Sequence, residues 1–369
     1  MKYFFLVFLL VPFFSFTNPF LLPITRKGNC SMEDWNSLQI QLRQNNIEAL
    51  IREYYLEFLN TPNSPADPKR FPCETFIRRA KIGLEWTFGD TEGKKFPQKK
   101  LCKINEGGDC CIVCVSSYCK QYPELMLSNI FHLKKSGFNG YYLYFLGEYP
   151  NPSGEELQYI GVPYAFKIFA LLEAQKLGFN KVLWLDASMK PLRNPEPLFE
   201  IIDQQGAFFT TAASLFPWWE DRDAERKIFP QTRDRLFELT HIDAAHSKYY
   251  VPATLFGFKM DHPLTRLFID KYYELVRDGY AFISDAPEEY VYSCILSQDA
   301  FQEWQPTITL KLLSNKREKI LKSVKKKKVR KSFLGFFKRV KKVTKHIYEE
   351  KELHDRSARE GYFFYYRAH

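Results

Sequence analysis

The sequence predicts an α/β protein: a mainly parallel or mixed twisted sheet flanked by helices, with a helical segment before it and a basic helical tail after it. Three observations carry this. From Asp109 onward, short apolar runs of strand length alternate with helix-length stretches, the pattern of right-handed β-α-β units. The strand runs are apolar throughout, as in strands covered on both faces. The 369 residues are 45% hydrophobic and 26% charged, which permits a large core under a soluble surface.

The elements follow in order. Ser31 with acids in the next turn opens a helix whose apolar residues recur at Leu38, Leu42, Ile47, Leu50, Ile51, Tyr54 and Phe58. "TPNSPADPKRFP" is a loop, and residues 28–105 are expected as a helical segment wrapped on the main domain. Residues 106–310 are expected to form that domain. "CCIVCVSSY", "YYLYFLGE" and "KVLWLDAS" read as strands, and "PELMLSNIFHLKKSG" and "VPYAFKIFALLEAQKLGF" as the helices between them. "AFFTTAAS" and "YYVPATLFGFKM" read as further strands, "HPLTRLFIDKYYELVRDG" and "APEEYVYSCILSQ" as further helices. Residues 214–247 look irregular, polar and aromatic. An irregular stretch of that length in a compact domain is usually functional or disordered.

The ends differ from the middle. One Lys precedes an uncharged stretch from Tyr3 to Thr25, which reads as a secretory signal or a retained anchor over residues 1–27. Pro12, Pro19 and Pro23 weaken it as a helix. This places the protein in the secretory pathway or outside the cell. A mean hydropathy of −0.35 excludes a polytopic membrane protein. Between Lys311 and Lys345 stand 16 Lys or Arg against one acid, Glu318, so the chain's +10 conceals a body near −5. An acidic body argues against nucleic-acid binding. The basic segment, part of a 311–369 tail, interleaves apolar residues and suits an anionic membrane surface; a solvated tail and RNA are the alternatives.

Eight cysteines are present, four of them at 110, 111, 114 and 119. Strand alternation sends 110 and 114 to one face and 111 to the other, so buried thiols acting as small hydrophobes are favoured over a zinc site. Cys30, Cys73 and Cys102 are expected in loops, where disulfide partners are found in exported proteins.

The stretch "PYAFKIFALLEAQKLGFNKVLWLDASMKPLRNPEPLFE" resembles the nucleotide-diphospho-sugar transferases of the GT-A fold, a Rossmann-like architecture, and is distantly similar to family 8 glycosyltransferases. The resemblance covers about residues 109–310. It implies a sugar moved from a nucleoside diphosphate, expected to be a UDP-sugar, to a hydroxyl on a glycan, protein or lipid. It also implies that Asp186 contacts the donor ribose and any metal. The family's second carboxylate is replaced by Ser188, which puts Mn²⁺ or Mg²⁺ binding in doubt. The C-terminal His-x-x-Gly-x-x-Lys of family 8 is absent.

Each residue carries a second reading. Asp186 is a donor carboxylate at the end of a strand, where ligands bind in such sheets, or an acidic turn residue. Lys167 contacts the diphosphate or is a solvated helix lysine. Ser116 and Ser117 hold the donor or are turn hydroxyls. Glu288 and Glu289, with Asp285 beside them, stand where a general base would, or are acids at a helix N-terminus favoured by its dipole. Trp218 and Trp219 stack on an acceptor sugar or anchor the core. Besides the transferase, the sequence admits a catalytically silent glycan- or nucleotide-binding protein on the same fold, and a membrane-surface protein acting through the basic segment.

Overall fold

The computed structural model describes residues 97–119, 121–159, 162–210, 228, 230–248, 250–282 and 287–304, with the backbone of 363–365. The expected leader and N-terminal helix, Cys30, Cys73, Trp218, Trp219, Asp285 and the basic segment 311–345 lie outside these residues. In chain order the main elements are β1 (Gln98–Ile104), β2 (Cys110–Ser116), α1 (Tyr122–Lys135), β3 (Gly140–Leu146), α2 (Phe166–Lys176), β4 (Lys181–Leu185) and β5 (Met189–Pro191). There follow α3 (Glu196–Gln205), β6 (Ala207–Phe209), α4 (Pro230–Thr240), β7 (Leu255–Lys259), α5 (Pro263–Asp278), α6 (Pro287–Leu296) and β8 (Phe363–Tyr365). Among the described residues no helix is long and apolar enough to cross a membrane.

The protein contains an α/β domain in which a six-stranded mixed sheet, ordered β1-β3-β2-β4-β7-β6, is packed against helices. Only β3, β2 and β4 form a parallel block. β1 and β7 run against their neighbours, so the sheet is less parallel than the sequence suggests. The β-α-β reading holds where a helix crosses over, at α1 and α2. Approaching β7 from a long connection after β6 imposes no such direction.

β1, which precedes residue 106, pairs with β3 in the same sheet. Its sequence, QKKLCKI, carries three lysines and is largely exposed, as befits an edge strand kept from pairing with other chains, and so it gives no apolar signal. Cys102 consequently lies in a strand rather than a loop, and its thiol is free. The 214–247 stretch includes regular structure: α4, with Thr232, Leu236 and Thr240 turned inward, and a 3₁₀ turn at Ala244–His246. Asp243 joins the two, accepting from the Arg233 guanidinium and from the Ala245 N–H. The expected helical tail includes strand β8.

Two cores sandwich the sheet. One face packs Cys111, Val113, Trp184, Phe256 and Phe258 against α2, α5 and α6. The other packs Cys110, Ile112, Cys114, Leu183 and Leu185 against α1 and α3. The cysteines thus alternate as strand geometry requires, as buried free thiols; burial pushes the Cys110 thiol up to about 12 and those of Cys111 and Cys114 well above the ordinary range. α5 is built from local rules: His262 caps it by accepting the Leu264 N–H, Pro263 opens it, and Gly279 ends it at φ 75°.

Gly257 marks how closely α3 lies on β7. A Cβ there would sit 2.5 Å from Ile202 Cδ1 and 2.7 Å from the Val182 carbonyl oxygen. Gly257→Ala is therefore expected to destabilise the domain by about 1–3 kcal/mol, read from the urea midpoint, through overpacking against backbone that cannot yield.

Candidate functional site

The quoted strand KVLWL delivers Asp186 to the end of the parallel block. Leu185 pairs with Leu255, and the Asp186 N–H continues the register by donating to the Thr254 carbonyl at 2.9 Å. The chain then turns: Met189 N–H donates to the Asp186 carbonyl at 2.8 Å. The Asp186 side chain keeps 27% of its surface exposed, whereas Ser188 is buried.

α2 brings the partner. In FKIFALLEAQK, residues 166–171, 173 and 174 are all buried, so this helix has no solvent face along most of its length. Lys167 is 3% exposed, and a buried ammonium must be paired. Its Nζ donates to Glu288 Oε1 at 2.7 Å and to the Ala253 carbonyl at 2.8 Å, and it stands 3.6 Å from Asp186 Oδ2. The rings of Tyr164 and Trp184 lie 5.5 Å from the same nitrogen. Burial alone would lower the Lys167 pKa, but the Glu288 and Asp186 carboxylates outweigh it and hold the value above its ordinary 10.5. The ammonium is thus directed at protein oxygens and ties two carboxylates together.

The first turn of α6 supplies Glu288 and Glu289, which have different surroundings. Glu289 accepts from Tyr250 Oη at 2.6 Å. Glu288 is buried, and its Oε2 has no hydrogen-bond partner among the described residues, nor does the buried Thr254 hydroxyl. A contrasting carboxylate shows what satisfaction looks like. Glu156, 1% exposed, accepts from the Ser153 N–H and hydroxyl, the Glu155 N–H and Tyr273 Oη. Buried polar atoms are nearly always paired, so this Glu288 oxygen stands out among the described residues.

Tyr164 is a site residue that the sequence reading missed. Its φ of 62° puts a bulky residue in the left-handed region, and such strain clusters at functional sites. Burial, followed by the Glu288 and Asp186 charges, raises its phenol well above the ordinary range. Its signal in "PYAFK" is too local to reveal a backbone angle. At the end of β2, Ser116 Oγ donates to the Ser117 carbonyl, and Ser117 Oγ accepts the Cys119 N–H.

The described donor set does not form a cation cage. Among the described residues no group of three or more His, Cys, Asp or Glu converges. Asp186 offers one partly exposed carboxylate with an ammonium already beside it, and a hard divalent cation wants about six oxygens. A cavity of about 450 Å³ lies elsewhere, lined by Glu155, Glu156, Asp270, Tyr273, Glu274 and Arg277. It contains none of the Asp186 cluster, and its buried carboxylate, Glu156, is fully paired.

No protein-family model matches the chain, and no curated protein or solved structure matches it.

Removing the Lys167 charge strands two carboxylates. Lys167→Met is expected to cost about 3–5 kcal/mol in chemical denaturation, and the added Glu288→Leu to recover much of that. A single-variant cost below about 1 kcal/mol would show that the cluster does not hold the fold.

Proposed function

We propose that the chain is a glycosyltransferase of GT-A-like architecture, moving a sugar from a nucleoside diphosphate to an acceptor hydroxyl. The single observation that carries this is the partly exposed Asp186, set at the carboxyl end of β4 and tied through Lys167 to Glu288 on α6. Ligands of open α/β sheets bind beyond the carboxyl ends of parallel strands, and a carboxylate there accepts hydrogen bonds from sugar hydroxyls. In this reading Asp186 meets the donor, and the buried Glu288 fixes Lys167 behind it. Lys167 orients both without touching phosphate. Because the described residues around Asp186 do not make a metal cage, no step is assigned to Mn²⁺ or Mg²⁺. The 311–345 segment would hold the enzyme at an anionic membrane surface, where a glycan or lipid acceptor is presented.

One observation favours a second reading, a silent nucleotide- or glycan-binding protein. The position of the second family carboxylate is Ser188, and it is turned into the core. The two readings separate by experiment. Thermal unfolding of the full chain is followed with UDP-, GDP- and CMP-sugars, with and without Mn²⁺, and transfer is assayed with the donor that binds. Ligand at 100 times its Kd raises stability by about 2.7 kcal/mol. The transferase predicts a rise with one donor, lost in Asp186→Ala, together with transfer to an acceptor. A rise without transfer favours the silent protein as a nucleotide binder, and no rise with any donor contradicts the transferase and leaves the silent protein as a glycan binder.

A further inference from the structure

β5 begins three residues after Asp186 and is not part of the six-stranded sheet. It pairs antiparallel with β8 in a sheet of two strands, with Met189 opposite Tyr365, Lys190 opposite Phe364 and Pro191 opposite Phe363. The two halves of the Asp186 turn are therefore held by different parts of the chain. The upstream half is fixed by β4 and β7, ending in the Asp186 N–H bond to Thr254. The downstream half, Ala187 to Pro191, is buried for the most part, and its strand neighbour among the described residues is β8. Met189 commits its N–H to the Asp186 carbonyl, and Pro191 has none. Lys190 is thus the position of β5 left to donate across the ladder.

The Asp186 carboxylate is the less tightly held of the two on Lys167, at 3.6 Å against 2.7 Å for Glu288. Ion pairing reaches to about 4 Å, so a shift of well under an ångström would take Asp186 out of range. We infer that strand Phe363–Tyr365 is a strap that positions the Asp186 turn, and that the distal end of the sequence thereby sets the geometry of the candidate site. This concerns the turn itself and holds whichever ligand Asp186 meets.

The test compares the full chain with two variants, one lacking residues 363–369 and one carrying Phe364→Pro, which removes an N–H from β8. Amide exchange is read by peptide. Residues 186–191 are expected to lose protection by roughly tenfold in both variants while β2 and β4 keep theirs, since local opening is independent of the buried strands. A synthetic peptide of residues 359–369 is expected to restore protection to the shortened chain. Unchanged exchange at 186–191 in Phe364→Pro would overturn the inference. So would an equal loss across β2 and β4, which would make β8 a general stabiliser, or failure of the peptide to restore a shortened chain that remains folded.

Discussion

The charge of Lys167 is the constraint to which the rest of the structure answers. It enters the core on a helix packed on nearly every side, between two aromatic rings, where an unpaired ammonium would cost several kcal/mol. Its compensation comes from three separate places in the chain: the end of β4, the approach to β7 and the first turn of α6. Those elements must meet at one point for the fold to be stable. Two carboxylates and a strained tyrosine are therefore brought together as a consequence of satisfying one charge.

The sheet makes that meeting possible. Its parallel block orients β2 and β4 in the same direction, and antiparallel β7 then carries Ala253 and Thr254 past the carboxyl end of β4. The two cores on either side fix the sheet's position against α2 and α6 on one face and α1 on the other. Aromatic packing in the first core is dense; Phe209, Phe258 and Phe268 contact one another and Trp304, and Phe256 contacts Phe209 and Phe258.

What could be read from the sequence follows physical lines. β2, β3 and β4 are legible because burial on both faces demands unbroken apolar runs, and α5 because one wet face gives it helical periodicity with a proline and a glycine at its ends. β1 is illegible because edge strands hide behind lysines, and α4 because only a narrow strip of it is buried. Asp186 is legible from its place after a strand, but the role of Lys167 is not. Its partner Glu288 lies 121 positions away, and no local pattern encodes that distance. One clue was present: FKIFALLEA has no polar face on which a solvated lysine could lie. The neighbouring acids at Glu288 and Glu289 look alike in sequence and differ only in what packs against them.

The most direct test of this account is the ionisation of Lys167 itself, followed by NMR of ¹³Cε-labelled lysine in the full chain, with Lys167→Arg to assign the signal. A folded-state pKa held above the ordinary value stabilises the protein below that value, and the contribution is lost as pH rises through the folded pKa. The account predicts that Lys167 remains charged past pH 10.5 and that stability falls as the signal finally titrates. A Lys167 that loses its proton near neutral pH would contradict it, because the ammonium would then not be what draws Asp186 and Glu288 together.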